Sequence, residues 1–487
     1  MSRKLRFRLL VAFSLVWAAW AAWVLLTGTE SLTVSVIDDA GTVVEGAEIR
    51  SGGRLLAVTA ADGQGTVEWS AAVDSLSVTA AGHSSLQIPV LGKPVEPLEA
   101  VLRPRLLRGR ILDPAGKPVE GAYVTAAAGT AVTDLEGRFS LPKAEPGDVD
   151  IWRPAWDGTS FRWDGSPGEE SVTISPETMK AVHVGGEAAQ KSWPVFVSLT
   201  ANTELNALML DLKDESGSVF YNTRIARARQ VRAIDVRYDL AEVVADAARE
   251  GIYLIGRIVA FQDPIAAIRA PQLAVLDTTT GAAYNSNGQY FLDPTDPGAQ
   301  AYALELAVEA CEAGVDEIQF DYVRYPDNQP HTAIFDGGAS PTVRVATIRD
   351  FLATAVAQLH PLGCAVAADI FGFITRAVDD GGIGQQWEEM TAVVDVASPM
   401  LYPSHYASGW YGFETPNDHP AELVANALDD GLARLARQIV VRPWLQDFGY
   451  TPEQVRVQIE EADARGLGWM LWNANSNVTV EALAPAE

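Results

Sequence analysis

The stretch Asp316-Glu-Ile-Gln-Phe-Asp-Tyr-Val-Arg-Tyr-Pro326 places a carboxylate, Asp321, on a segment in which Ile318, Phe320 and Tyr322 alternate with Gln319 and Asp321. A period of two marks a strand, and Pro326 closes it. A second carboxylate, Asp369, falls near the end of Ala365-Val-Ala-Ala-Asp-Ile-Phe-Gly372, and a third, Asp447, follows Trp444-Leu-Gln. Paired carboxyl groups can hydrolyse a glycosidic bond. One protonates the leaving oxygen, and the other attacks the anomeric carbon or activates water. That chemistry requires no metal and no organic cofactor. Asp321 is the nucleophile candidate and Asp369 the general acid. Asp447 is held in reserve, because strand parity makes Gln446 the inward residue there.

Groups able to hold a sugar stand near the same segment ends. They are Asp211 and Lys213 on one face of Leu208–Lys213, Arg257, Gln319, Arg324, Tyr402, His405, Trp444, Trp472 and Asn473. Asp211 is expected to pair with Lys213 or Arg257 behind the reacting groups. Positioning them requires a repeated element. Strand candidates recur at 181–185, 205–212, 253–260, 317–324, 365–371, 395–402, 438–445 and 468–474, with helical stretches between them. The helix before the Asp321 segment is expected over Gln300–Gly314. Eight strands alternating with helices argue for a (β/α)8 TIM barrel, whose chemistry is built at the carboxyl ends of the strands. The rival doubly wound sheet lacks a G-x-G-x-x-G after its first strand, and G-x-S-x-G, H-E-x-x-H and P-loop motifs are absent too.

The rest of the chain sets the context. At 487 residues it is multidomain. It is 48% hydrophobic and 20% charged, ordinary globular material. The net charge of -27, with a basic cluster only at Arg3, Lys4, Arg6 and Arg8, argues against nucleic acid as a partner and suits a neutral or cationic substrate. After that cluster Leu9 to Leu26 runs without a charge, so residues 1–28 are expected to be a transmembrane signal anchor, or a signal peptide if cleaved. The remainder would then be extracytoplasmic, membrane-anchored by residues 9–26 or secreted. Cys311 and Cys364 precede two successive strand candidates, where two buried thiols are favoured over a disulfide.

Between the apolar segment and the barrel, short alternating runs separated by Gly, Pro and Asp predict two small all-β sandwich modules, over 29–103 and 104–178, with the barrel over 179–487. They repeat. Ile37-Asp-Asp-Ala-Gly-Thr-Val-Val-Glu-Gly-Ala47 matches Leu112-Asp-Pro-Ala-Gly-Lys-Pro-Val-Glu-Gly-Ala122, and a second turn follows each, at Ala61-Asp-Gly63 and Leu135-Glu-Gly137. This order resembles the carboxypeptidase-regulatory-like β-sandwich family, which implies a spacer or a binding platform. Trp152, Trp156 and Trp163 would either stack on sugars or fill a junction.

Seven motifs carry a second resemblance. They are Leu210-Asp-Leu-Lys-Asp-Glu-Ser-Gly217, Gly256-Arg-Ile-Val-Ala-Phe-Gln-Asp-Pro264, Asp316 to Pro326, Ala368-Asp-Ile-Phe-Gly372, Ser398-Pro-Met-Leu-Tyr-Pro-Ser-His-Tyr406, Arg442-Pro-Trp-Leu-Gln-Asp-Phe448 and Gly468-Trp-Met-Leu-Trp-Asn473. In that order they resemble the bacterial putative glycosyl hydrolase domain family over about residues 179 to 480. The resemblance implies a TIM barrel similar to the α-amylase-like glycosidases. There a strand-4 Asp is the nucleophile, a strand-5 carboxylate the acid and a strand-7 Asp a stabiliser, positions matched by Asp321, Asp369 and Asp447. Two departures stand out: the acid is Asp instead of Glu, and Gln319 replaces the Arg two residues before the nucleophile. The expected activity is that of a glycoside hydrolase on an extracytoplasmic or cell-envelope polysaccharide. The alternative is a saccharide-binding or envelope-scaffold protein without catalysis.

Overall fold

The computed structural model describes Trp17 and residues 30–486, apart from 71, 72, 93, 94, 96, 287 and 328–331. The expected membrane segment over 9–26 lies, except for Trp17, outside the described residues. Among the described residues no helix is long and apolar enough to cross a membrane. The chain forms two compact units, Met1–Arg153 with Gly158–Ile174, and Pro154–Asp157 with Ser175–Glu487.

The first unit holds two β modules with one topology. In the first module Gln64–Trp69, Glu30–Asp38 and Leu98–Leu102 form one sheet, and Arg54–Val58, Glu48–Ser51, Ser75–Thr79 and Leu86–Pro89 form the other. The second module repeats both orders, with Arg138–Pro142, Leu106–Leu112 and Glu170–Thr173 in one sheet and Gly129–Val132, Tyr123–Ala126, Gly147–Arg153 and Trp156–Trp163 in the other. In the first module Leu32, Val34 and Val36 alternate inward and share one core with Ile49, Leu76 and Val78 of the opposite sheet. The sequence repeat has a local cause. Thr59 and Thr133 are buried counterparts. Each hydroxyl donates to a carbonyl (Val44 or Val119, both 2.7 Å) and accepts an amide N–H (Ala47 at 2.8 Å or Ala122 at 2.9 Å). Gly63 and Gly137 turn at φ +72 and +70, where a Cβ would meet the carbonyl oxygen of Val36 at 2.8 Å or of Ile111 at 2.5 Å. Of the three tryptophans, Trp156 and Trp163 are buried and Trp152 stacks on Tyr123 at 4.3 Å.

The second unit is an eight-stranded parallel barrel. Its strands are β1 (Lys180–Val184), β2 (Ala207–Lys213), β3 (Tyr253–Val259), β4 (Glu317–Asp321), β5 (Ala365–Phe371), β6 (Val396–Leu401), β7 in two pieces (Val440–Val441 and Trp444–Gln446) and β8 (Trp469–Trp472). Each pairs with the next, and β8 pairs with β1 to close the ring. Helices α1 (Gly186–Asn202), α2 (Leu240–Glu250), α3 (Pro297–Glu312), α4 (Pro341–Leu359), α5 (Trp387–Thr391), α6 (Pro420–Ala433) and α7 (Pro452–Asp463) follow β1 to β7 in turn.

Three local departures from the expected elements have physical reasons. β4 stops at Asp321 because Tyr322 turns to φ 47. β7 breaks at Pro443, which has no N–H for the ladder. α3 starts three residues earlier than expected, at Pro297, because the Asp296 carboxylate caps the Ala299 N–H at 2.8 Å. Cys311, in the last turn of α3, and Cys364, at the entry to β5, are joined in a disulfide with their Cα atoms 5.9 Å apart. Two free thiols were the favoured expectation. α3 packs on β3 and β4, and β5 is the next strand, so the fold itself brings the two residues together.

Candidate active site

The barrel interior is layered. At the bottom Arg442 forms a buried ion pair with Glu317 at 2.7 Å, and the Tyr253 hydroxyl donates to the same carboxylate at 3.1 Å. Above it Ala181, Ala207, Met209, Ile255 and Met470 make an apolar plug. Continuing that alternation by two residues along the strands brings His183, Asp211, Arg257, Asp321 and Trp472 to the upper rim, where Asp369, Tyr402 and Trp444 join them. Each strand thus supplies one side chain to the site from its carboxyl end, or in the case of β6 from the residue just beyond.

Arg257 is the hub. Its Nη1 donates to Asp211 Oδ1 at 2.8 Å, and its Nε and Nη2 donate to Asp321 Oδ2 at 3.0 and 2.6 Å. The Glu215 carboxylate lies 3.4 Å away on the loop after β2. The guanidinium beside Asp321 thus comes from β3, while Gln319, two residues before Asp321, bonds Asp369 instead. Behind it His183 bridges Asp211 Oδ2 at 3.0 Å and the Asn473 carbonyl at 2.8 Å. Burial pushes the Asp211 carboxyl up, but His183 and Arg257 outweigh it and hold it at about 2. Asp321 Oδ1 accepts the Tyr322 N–H at 2.6 Å, and Tyr322 itself sits at φ 47 in the left-handed region. A non-glycine residue held in that region costs roughly 1–3 kcal/mol.

Asp369 has a different environment. Gln319 Nε2 and Trp444 Nε1 both donate to its Oδ1, the latter at 2.6 Å. Among the described residues no guanidinium bonds it, although the Arg257 charge is near enough to act against the upward shift. Burial, with the Asp321 charge beside it, pushes its carboxyl well above the usual range. Two carboxyls on neighbouring strands thus have different surroundings, one bonded to a cation and the other to neutral donors with its carboxyl pushed up by burial.

These groups line a cavity of about 390 Å3. Of the residues singled out from sequence, Asp321, Asp369, Arg257, Arg324, Tyr402, His405, Trp444 and Trp472 line it. Arg324 pairs with Asp327 at 2.9 Å and packs over the Tyr322 and Phe371 rings. Trp472 is stacked on His183 at 4.2 Å, with the Arg257 guanidinium 4.9 Å from its ring centre. Burial pushes the His405 imidazole down, favouring its neutral form. Asp211 and Gln319 support the cavity from behind and do not line it. Asp211 has Arg257 as its partner, as one of the two expectations held.

Three further residues neither line the cavity nor support the residues that do. A bulge between Asp211 and Lys213 shifts the register, so Lys213 leaves the inward face. Its ammonium donates to the Val259 carbonyl at 2.7 Å and pairs with Asp263 at 3.1 Å, near the Tyr302 ring. Asp447 follows Gln446 out of register. Its Oδ2 accepts the Thr479 N–H at 3.0 Å, and burial pushes it to about 6. Asn473 alternates with the inward Trp472, and its side chain donates to the Asp447 carbonyl at 2.6 Å.

Sequence reasoning also passed over His183, Glu215, Tyr322, Phe371, Phe373, Tyr406 and Trp410. His183 was legible as the polar residue two after Ala181 on the first strand. The loop residues carried no periodic signal.

Residues 181–478, more than half of the chain, match the family described as "Putative glycosyl hydrolase domain". A hypothetical protein from Ruminiclostridium thermocellum ATCC 27405, solved by crystallography, is 32% identical, over 38% of this chain and 96% of that one, with a TM-score of 0.35. The PgaB (BpsB) glycoside hydrolase domain from Bordetella bronchiseptica is 14% identical, over 64% of this chain and 100% of that one, with a TM-score of 0.46. The glycoside hydrolase domain of PelA from Pseudomonas aeruginosa is 10% identical, over 64% and 98%, with a TM-score of 0.38. No curated protein matches the chain. Through residues 181–478 the chain belongs to the glycosyl hydrolase domain family whose description it matches.

Proposed function

We propose that this protein hydrolyses a glycosidic bond in an extracytoplasmic or cell-envelope polysaccharide, with Asp369 as general acid and Asp321 as nucleophile. The observation that carries the reading is the contrast between the two carboxyls. Burial and the Asp321 charge push the Asp369 carboxyl up, and no guanidinium among the described residues bonds it, whereas Asp321 is bonded to Arg257. Asp369 donates its proton to the leaving oxygen while Asp321 attacks the anomeric carbon. Water then cleaves the glycosyl ester, with Asp369 now acting as base. Phe320 pairs with Ala368, so the residues that follow them, Asp321 and Asp369, start about one strand spacing apart, ~4.8 Å. That favours the short carboxyl separation of retaining enzymes, about 5–5.5 Å, over the wider gap of inverting ones. The disulfide supports an oxidising compartment, and the net charge of -27 suits a neutral or cationic sugar.

One feature favours the binding-protein alternative: Asp369 is only 1% exposed. A single experiment separates the readings. Reducing sugar is measured from a panel of α- and β-linked and envelope polysaccharides with the wild-type chain and with Asp321→Asn, Asp369→Asn and Asp447→Asn. Expected is release by wild type and by Asp447→Asn, none by the other two, and retained polysaccharide binding by Asp321→Asn. Equal release by wild type and Asp321→Asn removes Asp321 from the chemistry. Binding without release by any form establishes the scaffold reading.

A further inference from the structure

The cavity around Asp321 and Asp369 has neighbours on two sides. A second cavity of about 590 Å3 adjoins it, and the two share Glu215 and Trp472. This one is walled by the loops after β8, β1 and β2, through residues such as Ser476, Gly185, Lys191 and Asp214. A third, of about 860 Å3, shares Trp410 with the central cavity and is walled by the loops after β5 and β6, with Asn426 of α6. In a closed ring of eight strands, β1 stands across from β5. The three cavities therefore lie along one diameter of the barrel mouth, with the two carboxyls in the middle.

Both flanks carry backbone that is held in place against strain. Tyr411 sits at φ 53 between Gly409 at φ 93 and Gly412 at φ 82. Its hydroxyl donates to Asp430 at 3.0 Å, and Arg376 packs 5.0 Å over its ring while pairing with Asp430 at 3.3 Å. This clamp fixes the turn that presents Trp410. The rings of Phe373, Tyr406 and Tyr411 meet Trp410 tilted or edge-on, so among the described residues no ring stacks on its faces. Trp472, by contrast, is already covered by His183. On the opposite flank Ser476 is held at φ 54, and its Oγ accepts the Gly185 N–H at 2.9 Å, tying the β8 loop to the start of α1. Residues held in such strain cluster at ligand clamps.

We infer that the site is an endo-acting cleft: a polysaccharide runs across the whole barrel mouth, and the bond cut lies inside the chain. This rests on the glycosidase reading above and adds the substrate's length and the position of the cut. Each cavity alone falls within the roughly 300–1,000 Å3 that holds a small ligand. The middle one takes the sugars flanking the scissile bond, and the outer two take the continuing chain on either side. An enzyme acting on chain ends needs one of those exits shut. Trp410, half-buried and with no ring stacked parallel to it among the described residues, is the stacking platform at the β5–β6 exit.

The test uses the full chain on carboxymethyl cellulose, soluble starch, laminarin and partly acetylated chitosan, following viscosity, reducing ends and product sizes together. On any polymer that yields reducing ends, viscosity is expected to collapse early and intermediate oligomers to appear before short ones. Trp410→Ala is expected to raise KM for the polymer by up to about tenfold, the equivalent of one aromatic stacking contact of about 1.4 kcal/mol. Its KM for the shortest cleavable oligomer, which cannot reach the outer cavity, should rise less than its KM for the polymer, and Trp410→Phe should restore most of the loss. Reducing ends that rise with viscosity intact and only the shortest products present would overturn the endo assignment and leave the glycosidase standing. Polymer retarded in native gels without any reducing ends would sink hydrolysis itself, and the inference with it.

Discussion

Replacing Arg257 with Met tests the hub of the site. The guanidinium is 1% exposed and is bonded to Asp211 and Asp321, with Glu215 close by. Its removal strands two buried carboxylates, and breaking a buried pair in this way costs about 3–5 kcal/mol. Asp211 gives an independent scale. Its carboxyl falls from the ordinary 3.8 to about 2, worth about 2 kcal/mol at ~1.36 kcal/mol per pH unit, shared between His183 and Arg257. For a unit this large about 2 °C of Tm corresponds to each kcal/mol. The barrel transition of Arg257→Met should therefore fall by about 6–10 °C at pH 7. The pH dependence has a definite sign. In the wild type the folded Asp211 value is depressed, so its contribution is present above about 3.9 and is lost as pH falls towards 2. In the variant Asp211 loses Arg257 while its burial remains, so its folded value rises and acid protonation relieves the strain. Both effects narrow the gap between wild type and variant on acidification. Differential scanning calorimetry of the two chains at pH 7 and pH 4 measures it. A variant within 2 °C of wild type at pH 7, or a gap that widens at pH 4, would refute the hub. Arg257→Lys should lie between, since one ammonium cannot replace a fork that serves two carboxylates.

Two further outcomes follow from the same geometry. Asp369→Asn should stabilise the barrel at pH 7 while abolishing sugar release. The folded Asp369 carboxyl is raised, so keeping it costs stability at neutral pH, and that cost vanishes below the unfolded value of about 3.9. A thermal gain that persists undiminished at pH 3.5 would contradict this. Replacing both Cys311 and Cys364 with Ser should cost about 4 kcal/mol on a loop-closure basis for their separation of 53 residues. Wild type treated with dithiothreitol should match the double variant in its thermal transition. Alkylation of both cysteines without reductant would show that the bond is absent.

The period of two, read along each segment, was enough to place the eight strands and most of their inward residues. Asp321, Asp369, Arg257, Trp444 and Trp472 were legible because alternation is a local property of the pleated backbone. The internal repeat of the β modules was legible for the same kind of reason, since each turn depends on its own Gly and Thr. Parity breaks at Lys213, which a bulge carries outward, and a bulge has no compositional mark. At Asp447 and Asn473 parity holds and places them next to the inward Gln446 and Trp472, so the sequence already offered the signal that takes them out of the cavity. Tertiary structure alone decided the partnerships: which carboxyl receives Arg257, that α3 and β5 bring Cys311 to Cys364, and that three cavities line up across the mouth. Those depend on distances between residues far apart in the chain, and only the closure of the barrel sets them. Sequence supplied the chemistry each strand end could offer. The ring set their surroundings, because burial and neighbours, not residue type, make one Asp the partner of a cation and push the carboxyl of the other up.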